Sequence, residues 1–536
     1  MKARTLIPLI VVVVAGLLAW HNSFTGPFIF DDAQSIVENP TIRHLWPISD
    51  VLAPPRRGGI TVEGRPLINL SLAINYAVGG LDVWGYHAFN LAIHILSGLT
   101  LLGIVRRTLL QPRFRERFGA VATELALAVA VLWTVHPLTT EAVTYIVQRA
   151  ESIMGLFYLL TLYCFIRGTE SPRTAWWYEL SLCACILGMA SKEVMASAPL
   201  IVMLYDRAFV SGSFREAWRR HRSVYQALAG TWILLGCLVF FTGSYGNAAT
   251  NAKIKGVTAW RYLLAEPGVM LHYLRLSVWP HPLCFDYSDW PLGGTGLGNL
   301  LPILVIAVLL GAIALALMAN SAGGFLGAWF FLILAPSSSF IPTDSPAYEH
   351  RMYLPLAAVV VLAVLGIYTL LGRRSLPVFL GLAIGLGFLT TQRNEDYRSK
   401  ISIWSDTVAK RPGNARAHYN FGRAFNAAGR LPEAVEQYEQ AIRIRPDYSQ
   451  AHNNLGFVLY ARGEVQPAIA HFERALQINP HDPEAHNNLG VALSRVGRNQ
   501  EAIAQYEQAL QIRPDYPEVR NNLARLLETQ ASGTAP

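Results

Sequence analysis

The chain has 536 residues, 52% hydrophobic and only 15% charged, with a formal net charge of +8. Soluble domains carry about 25% charged residues, so a uniform soluble globule and a disordered chain are both excluded. The charge does not point to nucleic acid, because no Lys/Arg-rich run with interleaved aromatics accompanies it; the excess sits among apolar runs before residue 392, and the remainder is nearly neutral.

The first predicted element, TLIPLIVVVVAGLLAW at 5–20, follows Lys2 and Arg4. It has no small-residue cleavage site and more apolar segments follow, so it reads as an uncleaved transmembrane helix. Further spans are expected near 87–105, 120–135, 152–167, 175–190, 194–206, 224–242, 297–318, 324–341, 353–371 and 376–391. With the N-terminus inside and eleven alternating helices, Arg106, Arg107, Arg113, Arg115 and Arg117 share one inside loop. Arg207, Arg215, Arg219, Arg220 and Arg222 share another, as expected of cytoplasmic loops. The 260–279 run carries Arg261, Glu266, His272 and Arg275 and reads as a re-entrant or interfacial helix. Loops 21–86, 243–296 and 336–352 then lie outside, and the chain emerges outside near 392. The expected location is a multi-pass membrane protein of a bacterial inner membrane, N-terminus cytoplasmic and C-terminal part periplasmic. Five cysteines, mostly inside apolar runs, give neither a disulfide framework nor a zinc pattern.

After a linker helix at 393–414 the sequence repeats with a period of 34. Gly422, Gly456 and Gly490 recur at this spacing, as do Ala434, Ala468 and Ala502, Tyr438, Phe472 and Tyr506, and Pro446, Pro480 and Pro514. This is the tetratricopeptide (TPR) signature: small residues where two helices cross, an aromatic filling the gap, and proline after the second helix. Three repeats are expected at 415–448, 449–482 and 483–516, with a capping helix at 517–529 and a tail at 530–536. Asn420, Asn454, Asn488 and Asn522 recur too, on the helix that lines the groove of such solenoids. An amide row there can donate to and accept from a peptide backbone without reading its sequence. The fold class is therefore all-α: a polytopic helical membrane domain over 1–392, then a TPR solenoid.

The first outside loop contains the carboxylates Asp31 and Asp32, and adjacent acids push one pKa up, which suits a general base. Arg65 closes that loop. His87, Asn90 and His94 follow at spacings that share one helix face, better suited to inter-helix hydrogen bonding than to a metal. His136 opens the next outside segment, where Glu141, Tyr145 and Arg149 form one polar stripe at helical spacing. Lys192 and Glu193 break a helix pair, and Glu349, His350 and Arg351 sit beside a membrane helix. All converge on the outside face.

Together FxxDD, RPL at 65–67, GYHxxNxxxH at 85–94, HPLTTEAV at 136–143, QRAE at 148–151, SKE at 191–193, FDYS at 285–288 and EHRMYLP at 349–355 resemble one family. It is the transmembrane-and-TPR-containing protein O-mannosyltransferases, with the GT-C fold. The resemblance implies an inverting transfer of mannose or another hexose from a polyprenyl phosphate to Ser/Thr of proteins. Asp31 or Asp32 would be the base, and Arg65, Lys192 and Arg351 would hold the donor phosphate. His87, Asn90, His94, His136, Glu141, Arg149, Glu193, Asp286 and Glu349 would support the site. No cofactor is expected and no metal ligand is assigned, a divalent metal being compatible with the fold but not demanded; the partners are the lipid-linked sugar, membrane lipid and acceptor proteins drawn to Asn420, Asn454, Asn488 and Asn522. The alternatives are a non-catalytic membrane-anchored TPR scaffold and a GT-C transferase acting on a lipid or glycan.

Overall fold

The computed structural model describes residues 3–54, 61–242, 258–292, 297–338, 342–343 and 345–531. Lys2, residues 243–257 of the second outside loop and the tail from 532 lie outside the described residues. The chain divides into two compact units, Met1–Ser399 and Lys400–Pro536. Every regular element among the described residues is helical.

Each apolar run read as a span after the first falls on a helix, although the ends move by several residues. Among the described residues, seven helical stretches are long and apolar enough to cross a membrane. One of them, Pro355–Asp396, contains two helices that meet at Gly372, where φ is +56°. Three shorter apolar helices, Leu6–Ala19, Pro66–Gly79 and Ala322–Leu334, add to these. The 259–278 helix is not among the seven.

The helix Pro66–Gly79 corrects the sequence reading, which left 21–86 as loop. Its signals were present but diluted: Pro66 at the first helical position, where its missing N–H costs nothing, then an apolar run interrupted by Asn69, Ser71 and Asn75. The polar residues are used inward. Asn69 donates to the carbonyl of Val51 and accepts from Asn39, which ties the helix to the loop that carries the two aspartates.

The core of this unit is a layered helix bundle. Val83–Leu109 is its longest straight member: Asp82 caps its start through Trp84 N–H, and Arg106 and Arg107 sit in its last turn, matching the helix dipole. It packs against Ala122–Thr134 and Arg149–Glu170, and the latter against Thr174–Met189. At 1.5 Å per residue this helix spans about 40 Å. Its first turns lie at the end that holds Asp31 and Asp32, since His87 bonds Gly26 O and Asn90 donates to Ile146 O beside Val147, the partner of Asp32; its last turns lie at the opposite end.

The second unit opens with Lys400–Lys410 and continues as helix pairs Ala415–Ala427/Leu431–Ile444, Ser449–Ala461/Val465–Ile478 and Pro483–Arg495/Asn499–Ile512, closed by Pro517–Ala531. The 34-residue glycines are packing glycines. A Cβ on Gly456 would stand 2.8 Å from the Phe472 ring, and one on Gly422 2.7 Å from Tyr438. Between the paired helices, Gly429, Gly463 and Gly497 take φ of +73°, +85° and +79°, which other residues resist.

Candidate active site

Asp31 and Asp32 are adjacent in sequence and opposite in environment. Asp32 is fully buried, and both its oxygens are occupied: Oδ2 accepts Ile29 N–H at 2.9 Å and Oδ1 accepts Val147 N–H at 2.8 Å. It pins the loop to the segment leading into Arg149–Glu170. Burial pushes its pKa up to about 8 against the pull of those two N–H donors. Asp31 is half-buried. Its N–H donates to the Tyr145 hydroxyl at 2.8 Å, and its Oδ2 accepts the Thr61 hydroxyl at 3.3 Å. The residue before them, Phe30, has φ of +41°, a left-handed conformation that costs a bulky residue about 1–2 kcal/mol. Its ring stacks edge-on to Phe285.

Thr61 couples the aspartate to the first arginine. While its hydroxyl points to Asp31, its carbonyl accepts Arg65 Nη1 at 2.7 Å. Arg65 Nη2 also meets Glu193 Oε2 at 3.2 Å. Lys192 Nζ is 2.6 Å from Glu151 Oε1, a buried ion pair. Arg351 is held differently: it donates to Pro346 O at 2.7 Å and Thr343 Oγ1 at 3.2 Å, with the Tyr348 ring beneath its guanidinium. Among the described residues no carboxylate lies within ion-pair distance of it. Of the three cations read from sequence, Arg351 is thus the one without an acid in ion-pair contact, although the buried Glu266 acts on it from further off.

These groups share one region. The field of Lys192, Arg351 and Arg65 reaches His350, whose pKa burial already drives well below its ordinary value, with Glu151 working the other way. His350 is neutral there. Its N–H donates to Glu141 Oε2 at 2.9 Å, and its Nδ1 stands 2.9 Å from Glu141 Oε1, out of line for a hydrogen bond. Glu349 accepts Cys284 N–H at 2.5 Å and the Tyr287 hydroxyl at 2.6 Å. Burial raises both Glu141 and Glu349 to about 7. Asp286 accepts Ser288 N–H at 2.7 Å and shapes the same 284–288 turn.

Several expected site residues are bracing rather than reactive. His87 bonds Gly26 O at 2.9 Å, and Asn90 donates to Val143 O and Ile146 O. His94 bridges the Tyr353 hydroxyl and Thr134 O, both at 2.9 Å. His136 Nδ1 accepts Leu138 N–H and its Nε2 faces Ser277 O. The shared helix face was read correctly, and its polar groups join neighbouring backbone segments. Among the described residues no group of three or more metal-ligating side chains occurs.

The polar stripe at Glu141, Tyr145 and Arg149 does not exist. The helix Thr140–Thr144 ends at Tyr145, which is extended at φ −75°, ψ 109°, before a new helix starts at Arg149. The break separates the three side chains: Tyr145 turns to Asp31, Glu141 to His350, and Arg149 to Asn75 and the Tyr86 carbonyl, fully buried. Sequence reasoning missed Thr61 altogether and did not place Tyr287 or Glu266 at the site. Glu266 had a signal, being an acid inside an apolar run; it is buried in the 259–278 helix and acts on Arg351.

In the repeat unit the four asparagines are not equivalent. Asn488 donates to Asn453 Oδ1 at 3.0 Å, Asn522 to Asn487 Oδ1 at 3.1 Å, and Asn454 to the Tyr419 hydroxyl at 3.2 Å. Each reaches back 35 residues and stitches one repeat to the one before. Asn420, in the first repeat, bonds its own helix at Arg416 O.

Sequence comparison completes the picture. A protein O-mannosyl-transferase of Caenorhabditis elegans is 24% identical over 81% of this chain and 62% of its own length. The Drosophila melanogaster protein O-mannosyl-transferase Tmtc3 is 27% identical over 82% of this chain and 55% of its own. The Mus musculus protein O-mannosyl-transferase TMTC4 is 27% identical over 80% and 65%. The curated relatives of this chain are protein O-mannosyl-transferases. The chain spans less than two thirds of the length of each. A TPR-repeat profile matches residues 422–463 and a tetratricopeptide-repeat profile 447–515, which agrees with the 34-residue period. The shared stretch with the O-mannosyl-transferase relatives is longer than the repeats, so it takes in helices of the first unit as well.

Proposed function

We propose that this chain is a membrane glycosyltransferase that moves mannose or another hexose from a polyprenyl phosphate to Ser/Thr hydroxyls of proteins. The observation that carries the reading is the junction at Thr61, which joins a half-exposed carboxylate to an arginine in the region where Lys192 and Arg351 also lie. The relatives' names support the sugar and the protein acceptor.

Asp31 is the base. Its neighbour Asp32 spends both oxygens on backbone donors, whereas Asp31 keeps a partly exposed side chain. The Asp31 carboxylate takes the hydroxyl proton as the acceptor oxygen bonds to the anomeric carbon. The bond from that carbon to the phosphate oxygen breaks on the opposite face, inverting the centre. Polyprenyl phosphate leaves with the electron pair, and its charge is met by Arg351, with Arg65 and Lys192 adding to the field. The proton on Asp31 then returns to solvent. In the repeat unit, the oxygens and second amide hydrogens of Asn454 and Asn488 serve acceptor backbones while their first hydrogens hold the repeats together.

The test is transfer from polyprenyl-phosphate mannose to a Ser/Thr peptide by the purified full chain. Wild type should label the peptide and Asp31→Asn should not, at equal expression. Full activity in Asp31→Asn removes the assignment. For the groove, Asn454→Ala with Asn488→Ala should weaken a protein acceptor more than a short peptide; equal loss on both rejects it.

A further inference from the structure

At the end of the first unit remote from Asp31 lies an apolar cavity of about 100 Å³. Thr108, Phe114, Tyr205, Phe209, Phe325 and Leu365 are among its walls, drawn from six helical segments of the bundle. The hydroxyls of Thr108 and Tyr205 are 2.8 Å apart and bond to each other. Other wall residues are apolar, so the cavity offers water too few partners to fill it with ordered solvent.

Phe114 belongs to the short helix Pro112–Phe118, whose sequence PRFRERF alternates aromatic and basic residues. Phe114 enters the cavity and Phe118 is buried, while Arg113, Arg115 and Arg117 are exposed. Arg113 is anchored by one bond to Ala208 O at 2.9 Å, and Arg117 by one to Thr369 Oγ1 at 3.2 Å. Among the described residues none of the three makes an ion pair. The other charges nearby are accounted for: Arg107 pairs with Glu170, Arg106 donates to Thr123, and Glu116 is exposed on the same short helix. An amphipathic helix that buries aromatics and presents arginines is the arrangement of a segment lying at a membrane surface.

We propose that this end binds an anionic glycerophospholipid, with part of one acyl chain in the cavity and the phosphate on Arg113, Arg115 and Arg117. Most of the walls belong to helical stretches apolar enough to cross a membrane and the rest to the shorter apolar helix Ala322–Leu334, so the occupant has to come from within the bilayer. The adjoining arginines without acid partners select a headgroup with net negative charge. This site is separate from Asp31 and does not depend on the sugar-transfer reading.

Native mass spectrometry of the full chain, delipidated and then given phosphatidylglycerol or phosphatidylcholine of matched chains, tests it. Each surface arginine adds about fivefold to anionic lipid binding, so three give phosphatidylglycerol an advantage on the order of 10²-fold. Replacing Arg113, Arg115 and Arg117 together by Gln should bring phosphatidylglycerol down to the phosphatidylcholine level. Ala322→Leu, which narrows the cavity, should weaken retention of both lipids while keeping their ratio. Equal retention of the two lipids by wild type overturns the proposal, because the occupant is then an annular lipid held by its chains alone. A triple Gln variant that keeps the preference overturns it as well, since the headgroup then sits elsewhere.

Discussion

In the first unit Lys192 and Glu151 meet at 2.6 Å with 7% and 3% of their side chains exposed; in the second, Arg498 and Glu501 meet at the same distance with 41% and 55% exposed. The repeat unit places its ion pairs on helix surfaces, several of them three or four residues apart, as at Arg430 and Glu433. The membrane unit has local surface pairs too, as at Arg220 and Glu216, but it also joins charges from distant parts of the chain and hides them. Identical geometry therefore means different things. A surface pair decorates a helix that period and packing already define. A buried pair has given up water on both sides, so each partner depends on the other. Charge is expendable in one unit and structural or chemical in the other.

The sharpest way to break that comparison is to remove a charge that the first unit uses for chemistry. Asp31→Asn should lower transfer roughly 10²–10⁴-fold, the usual contribution of a general base. Folding should be unchanged, because Asp31 is half-exposed. Asp32→Asn should lose one of two backbone bonds and show first as lower expression and thermal stability. If the two variants behave alike, the division of labour between these neighbours is wrong.

Next comes a charge used for structure. Lys192→Met leaves Glu151 buried without its partner and should cost about 3–5 kcal/mol, read as a fall in unfolding temperature of the purified chain. Adding Glu151→Gln should recover much of that loss. A single variant as stable as wild type would show that water reaches the pair.

In the repeat unit the sensitive positions are close-packed glycines rather than charges. Gly456→Ala puts a methyl group 2.8 Å from the Phe472 ring and should cost about 1–3 kcal/mol, measured as faster hydrogen exchange confined to residues 449–482.

The pH response belongs to the first unit. Glu349 rises from 4.5 to about 7 on burial, so the folded state holds its proton more tightly than the unfolded chain. Its contribution is full below about 4.5 and is lost as pH rises towards 7. The unfolding temperature should fall across that window, Glu141 adding over the same range and Asp32 up to about 8, and Glu349→Gln should reduce the slope. The smallest effect is expected at the surface: Arg498→Gln should leave the unfolding temperature within measurement error.

The difference between the units also explains what was legible in the sequence. The repeats announce themselves because each position recurs 34 residues later in the same surroundings. Gly422, Gly456 and Gly490 each meet a ring at the position the period assigns. What the period does not reveal is that three of the four asparagines spend an amide hydrogen on the preceding repeat. In the first unit hydropathy located the helices, but the site depends on which way a short irregular segment turns. Helical spacing placed Glu141, Tyr145 and Arg149 on one stripe, and the extended Tyr145 sends them to three destinations. Nor does a pair of adjacent aspartates reveal which one backbone N–H groups will claim. Proline, apolar and acidic residues are visible in a string of letters; the bend at residue 145 is a compromise among segments more than a hundred residues apart.

Phe30 carries a consequence for how such a loop can change over time. Replacing it by Gly would ease the left-handed backbone but remove the ring from Phe285, which in turn contacts Tyr145 and Tyr397. Smaller or branched residues would keep the backbone cost and lose the contact. Every single step away from Phe30 gives something up, so the direction in which Asp31 points is guarded against gradual drift by a residue that would be uncomfortable on its own.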